Sequence, residues 1–126
     1  MSSGRKILVV DDEPVIAKSL AAILSSHGYD VKYVLSAEDG LRAAEVWQPH
    51  LAVIDVILPK QNGIEMAIAL TVNHPAVRIL LFSGQAETAG LLDQARERGH
   101  DFQVLAKPAH PLVFLETISI LLKKVG

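Results

Sequence analysis

Four short polar signatures each follow an apolar run. Asp11-Asp12-Glu13 comes after Ile7-Leu8-Val9-Val10, Asp55 after Leu51-Ala52-Val53-Ile54, Ser83-Gly84 after Val77 to Phe82, and Lys107-Pro108 after Phe102 to Leu105. If these runs share one sheet, Asp11, Asp12 and Asp55 come together. Crowded carboxylates repel, and the pKa of at least one of them rises unless a cation intervenes. Magnesium suits such a group because it accepts a few carboxylates and keeps several waters. Lys107 adds a second positive charge, leaving a surface matched to an incoming phosphoryl group. An aspartate can be the nucleophile that takes that group. Ser83 offers a hydroxyl to a phosphate oxygen, and Gly84 lets backbone approach closely. Taken singly, each signature has a plainer reading. Asp12 before Glu13-Pro14 reads as a turn or helix cap, and Ser-Gly and Lys-Pro read as loop residues. Their joint placement favours the chemistry.

The elements that position these residues alternate. The first strand, Ile7–Val10, precedes a helix opened by Pro14 and carried by Ile16, Leu20, Ile23 and Leu24, with Gly28 as its stop. A second strand is predicted over Val31–Leu35, then a helix through Leu41, Ala44 and Trp47 that ends before Pro49. The third strand, Leu51–Ile54, leads to a Pro/Gly loop and a helix over Ile64–Leu70. Val77–Phe82, a helix over Thr88–Arg98, a short strand over Phe102–Leu105 and a helix over Pro111–Lys124 complete the pattern. Near-continuous apolar strands between helices predict an α/β fold with a parallel sheet covered on both faces. The natural arrangement is a doubly wound, flavodoxin-like (βα)5 domain of strand order 2-1-3-4-5. Ligands then bind beyond the carboxyl ends of the strands, where all four signatures lie.

A chain of 126 residues, half of them hydrophobic, suits one domain with one core. A net charge of -2 gives no overall electrostatic attraction to nucleic acid or an anionic membrane. Neither direct nucleic-acid binding nor membrane association is expected. The absence of cysteine excludes disulfides and zinc–thiolate sites. The opening is polar, and its first apolar run is too short for a signal peptide or a membrane span, so a cytoplasmic location is expected. Residues 1–5 are expected to be a flexible N-terminal segment. Only Val125-Gly126 follow the last helix, so no DNA-binding or catalytic effector is expected within this sequence.

From Lys6 to about Lys123 the chain resembles the receiver domains of bacterial two-component response regulators. The matching segments are Ile7-Leu8-Val9-Val10-Asp11-Asp12-Glu13, Asp55-Val56-Ile57-Leu58-Pro59 with Gly63, Ser83-Gly84 and Lys107-Pro108. The resemblance implies a receiver domain over residues 6–124. Asp55 would accept a phosphoryl group from a histidine kinase or phosphotransfer protein. Asp11, Asp12, Asp55 and the backbone carbonyl of Ile57 would hold Mg2+. Ser83 would move to meet the phosphate, and Lys107 would pair with the acceptor and then with the phosphate. The Lys107–Pro108 bond would be cis. Receivers promote only their own phosphorylation and dephosphorylation, so a signalling domain is implied rather than an enzyme acting on a separate substrate.

The sequence departs from the family pattern at Val104. Receivers commonly carry an aromatic switch residue three positions before the lysine, and here the nearest aromatic is Phe102. Transmission is therefore expected through the loop after the fourth strand and the fourth helix, without an aromatic rotamer change. Ile57 and Gln85 occupy positions that tune water access to the phosphate in this family. The five histidines are scattered and expected in surface and loop positions, while Trp47 is expected in the core. The last helix offers Leu112, Leu115, Ile118 and Leu122 as a core stripe. Val113, Phe114, Ile120 and Leu121 spread apolar character around it, as a partner surface would. A homodimer through the fourth helix, fifth strand and fifth helix, and an unidentified downstream protein, are the implied partners. The alternative is a phosphorylation-independent interaction module of the same architecture. A P-loop or dinucleotide fold is disfavoured because no Gly-rich turn follows the first strand.

Overall fold

The computed structural model describes residues 4–84 and 88–123. Five strands alternate with five helices. These are β1 (Lys6–Val10), α1 (Pro14–Ser26), β2 (Asp30–Val34), α2 (Ala37–Trp47), β3 (Leu51–Asp55), α3 (Gly63–Asn73), β4 (Arg78–Ser83), α4 (Thr88–Glu97), β5 (Gln103–Ala106) and α5 (Pro111–Lys123). All sheet pairings are parallel, in the order β2-β1-β3-β4-β5. This is the predicted flavodoxin-like topology.

Side chains alternate across each strand, so the sheet feeds two cores. Leu8, Val10, Ala52, Ile54, Ile79 and Leu81 pack under α2, α3 and α4. Ile7, Val9, Leu51, Val53, Leu80 and Phe82 pack under α1 and α5. β1 and β3 therefore read as unbroken apolar runs. They are buried on both faces, and both stop at an aspartate.

Local chemistry sets the helix ends. Pro14 opens α1, and Gly28 takes a φ of 89° just beyond it. Ser36 and Asn62 cap α2 and α3, each accepting from the N–H three residues on (Asp39 and Glu65). α3 runs past the expected Leu70 to Asn73, with Thr71 Oγ1 donating to Ala67 O inside the added turn. Pro75 follows, where a helix cannot readily continue. β2 lies one residue earlier than expected because Asp30 N bonds Arg5 O at its start. His110 Nδ1 accepts from Leu112 N and starts α5, a cap that sequence reading missed.

Two core expectations need correction. Leu112 is 68% exposed rather than core, and α5 buries Phe114, Ile118, Leu121 and Leu122. A helix apolar on most sides carries no clear phase, and Pro111 and His110 fix its rotation differently from the Leu/Ile stripe. Phe114 and Leu121, expected outside the core stripe, are thus core, while Trp47 is half-buried and packs against the core as expected, with the ammonium groups of Lys6 and Lys32 6.0 and 5.1 Å from its ring. Among the described residues, no helix is long and apolar enough to cross a membrane.

Candidate functional site

The register of the sheet assembles the site. β1 and β3 run side by side to Val10 and Ile54, so Asp11 and Asp55 emerge together. Asp55 pairs with Phe82 on β4, and Ser83 pairs with Ala106 on β5, immediately before Lys107. Lys107 N donates to Ser83 O at 2.9 Å, which anchors the loop carrying the lysine.

One carboxylate oxygen from each of Asp11, Asp12 and Asp55 lies within 4.8 Å of the others. Among the described residues, the buried polar side chains are Asp11, Asp55 and Ser83, and all three lie here. Asp11 is 2% exposed and Asp55 9%, so their charges are costly unless partnered. Lys107 Nζ lies 3.0 Å from Asp55 Oδ2 and 3.3 Å from Asp11 Oδ2. Backbone N–H groups take the remaining oxygens, with Glu13 N donating to Asp11 Oδ1 and Ile57 N to Asp55 Oδ1.

This partnering is incomplete in charge. Burial pushes the Asp55 carboxyl above its ordinary value, and the Asp11 carboxylate adds to the rise. Lys107 and the Ile57 N–H oppose it without cancelling it. At Lys107 burial disfavours the ammonium, but Asp55 and Asp11 outweigh it and the net shift is upward. Three carboxylates and one ammonium leave two negative charges, the charge of one divalent cation. Oxygen donors so closely grouped fit magnesium.

Two glycines leave room for these groups. A Cβ on Gly63 would collide with the Asp55 carbonyl and with Ile54. That carbonyl lies directly under the first turn of α3. A Cβ on Gly84 would stand 3.3 Å from Lys107 Cβ, so the lysine stem runs along the glycine backbone.

The Lys107–Pro108 peptide is cis. Val104 is half-buried and faces α2, α3 and α4. Phe102 precedes β5 at the opposite edge of the sheet, stacked on His100 with centroids 5.8 Å apart. It lies away from the acidic site. The histidines line loops and helix ends, and Gln85 lies outside the described residues.

The family model for the response regulator receiver domain matches residues 7–119. The chain belongs to the response regulator receiver domain family. Among curated relatives, this receiver is 41% identical over 84 residues to the alkaline phosphatase synthesis transcriptional regulatory protein PhoP of Bacillus subtilis. That match covers 67% of this chain and 35% of PhoP. It is 27% identical over 119 residues to protein PilH of Pseudomonas aeruginosa, covering 93% of this chain and 97% of PilH. The chain thus spans about a third of the length of PhoP and nearly all of PilH. A CheY-like receiver domain protein from Methanospirillum hungatei superposes with a TM-score of 0.83 at 29% identity, covering 94% of this chain and 93% of that one. The receiver is a signalling domain of the two-component type, and its acidic cluster fits a phosphorylation site.

Proposed function

We propose that Asp55 accepts a phosphoryl group from the phosphohistidine of a histidine kinase or phosphotransfer protein, and that this changes which partner the domain binds. The observation that carries the reading is the cluster of three carboxylates, Asp11 and Asp55 buried and Asp12 open to solvent, left two charges short by Lys107. A stable core has little use for such a deficit, whereas a site that draws in a cation and then a phosphoryl group depends on it.

An Asp55 carboxylate oxygen attacks phosphorus, the P–N bond breaks, and its electron pair leaves with the donor imidazole. The product is an acyl phosphate on Asp55. Asp11, Asp12, Asp55 and the Ile57 carbonyl would hold magnesium, which supplies charge neutralisation for the acids and the phosphoryl oxygens. Lys107 pairs first with Asp55 and then with a phosphoryl oxygen, while the Ser83 hydroxyl donates to another. Gly84 leaves the backbone open to that group. Ile57 places an exposed apolar side chain at the rim, with no hydrogen bond to offer an attacking water.

Val15, 77% exposed at the start of α1, and Leu112, at the start of α5, flank the same edge. With the exposed Ile57 they offer apolar surface that a phosphodonor protein would cover. The exposed Val113 and Ile120 of α5 support a protein partner, a second copy through α4, β5 and α5 included.

Thermal melts with magnesium and beryllofluoride test this reading. Wild type is expected to gain stability with each addition, by mass action on the folded state. Asp12→Asn is expected to lose most of the magnesium response. Equal responses from wild type, Asp12→Asn and Asp55→Asn would remove the basis for it.

A further inference from the structure

Lys107 is held by more than its two carboxylates. Its Nζ lies 5.6 Å from the centroid of the Phe82 ring. Phe82 is 5% exposed and directly precedes Ser83 on β4, in register with Asp55 on one side and Leu105 on the other. Paired residues of parallel strands project to the same face, so the ring stands beside the Asp55 carboxylate. The ring of Phe114 from α5 stacks on it, with centroids 5.7 Å apart and planes 23° apart. Phe114 is itself buried. Phe82 thus touches both the ammonium at the acidic site and the ring of Phe114 in the core beneath α5.

We propose that Phe82 is a positioning residue for Lys107, its ring holding the ammonium at the mouth of the site while Phe114 fixes the ring. The proposal rests on the phosphoryl-accepting reading for its consequence, and on the geometry alone for the contact. An ammonium within about 6 Å of an aromatic centroid is attracted to the ring's negative face, more strongly where water is excluded. This attraction differs in kind from the two ion pairs. Asp55 and Asp11 compete for the lysine, and their pull falls when another cation or a phosphoryl group shares their oxygens. The ring is neutral, so its pull persists through that exchange. An aliphatic residue would fill the volume but leave the ammonium without a partner on that side. The Lys107 stem, lying along Gly84, limits the arc over which Nζ can move.

The test uses the full chain with Phe82 replaced by mono-, di- and trifluorophenylalanine, alongside Phe82→Leu. Fluorination weakens the ring's negative face while almost preserving its shape, so folding is retained across the series. The first readout is NMR of the magnesium-free protein. Wild type is expected to show Overhauser contacts between Phe82 ring protons and Lys107 Hε, with Hε shifted by the ring current. Absence of both in wild type overturns the proposal. The second readout is the rate of phosphoryl uptake from acetyl phosphate with magnesium. Phe82→Leu is expected to slow uptake about tenfold, and the fluorinated series to fall stepwise toward that value. A flat series overturns the proposal whatever the melting temperatures. If wild type takes up no phosphoryl group, the phosphoryl-accepting reading falls, and the NMR contacts alone then decide whether Phe82 positions Lys107.

Discussion

Asp55 couples the chemistry of the site to its stability. Because burial, with Asp11, raises its carboxyl above the ordinary value of 3.8, folding favours the protonated form. The stabilisation is present at low pH and is lost as pH rises from the unfolded value through the folded one, so at neutral pH the ionised Asp55 is a net cost. Asp55→Asn is therefore expected to stabilise the magnesium-free protein at pH 7 and to raise its melting temperature. The gain should shrink toward pH 4 and should not grow on adding magnesium; melting curves across that range check it. Gly63→Ala acts in the opposite direction. Its Cβ would displace the Asp55 carbonyl or the first turn of α3, costing about 2–4 kcal/mol in a denaturant titration. The site residues were legible in the sequence because each closes an apolar strand, where an acid, hydroxyl or lysine needs a reason. Phe82 was not. An aromatic at the end of a buried strand reads as core until the register places it beside Lys107.

At the scale of elements, the strands were the most legible part. Ile7–Val10 and Leu51–Ile54 are buried on both faces, and that environment admits little but Val, Ile, Leu and Ala. The rotation of α5 was not legible, because Leu112 and Phe114 are equally apolar and only their packing separates them. The extent of α3 was hidden by Thr71-Val72-Asn73, poor helix formers that add a mostly exposed last turn beyond the buried Leu70. The turn that ends α4 is tied to α3 by Arg98 Nη1 and Glu65 Oε1, 2.9 Å apart and half-exposed on both sides. An exposed pair of this kind contributes little, so Arg98→Ala is expected to change stability by less than about 1 kcal/mol. With Val104 at the position of the usual aromatic switch, Phe102 remains stacked on His100 at the far edge of the sheet. Beryllofluoride with magnesium is expected to shift amides of α4 and the end of β4 while leaving the Phe102 ring protons nearly unchanged. A large change in Phe102 burial would reassign the switch to that ring.

At the scale of the whole molecule, the two faces of the sheet divide the work. α2, α3 and α4 close one core and α1 and α5 the other, and in this parallel alternation each helix follows the carboxyl end of a strand. Chemistry at Asp55 is thereby placed against the exposed starts of two helices and one short step from α5. If the exposed Val113 and Ile120 serve a second copy of the chain, light scattering during dilution should show a dimer with beryllofluoride that weakens in Val113→Asp. A monomer at all concentrations with the mimic bound would leave those residues to a different protein. The most direct measurement of phosphoryl acceptance itself is intact mass after incubation with magnesium and acetyl phosphate, beside an Asp55→Asn control. The expected result is one alkali-labile phosphoryl adduct on wild type, absent from the control and absent without magnesium. An unmodified wild type, or an adduct that persists in Asp55→Asn, would contradict the assignment of Asp55 as the acceptor.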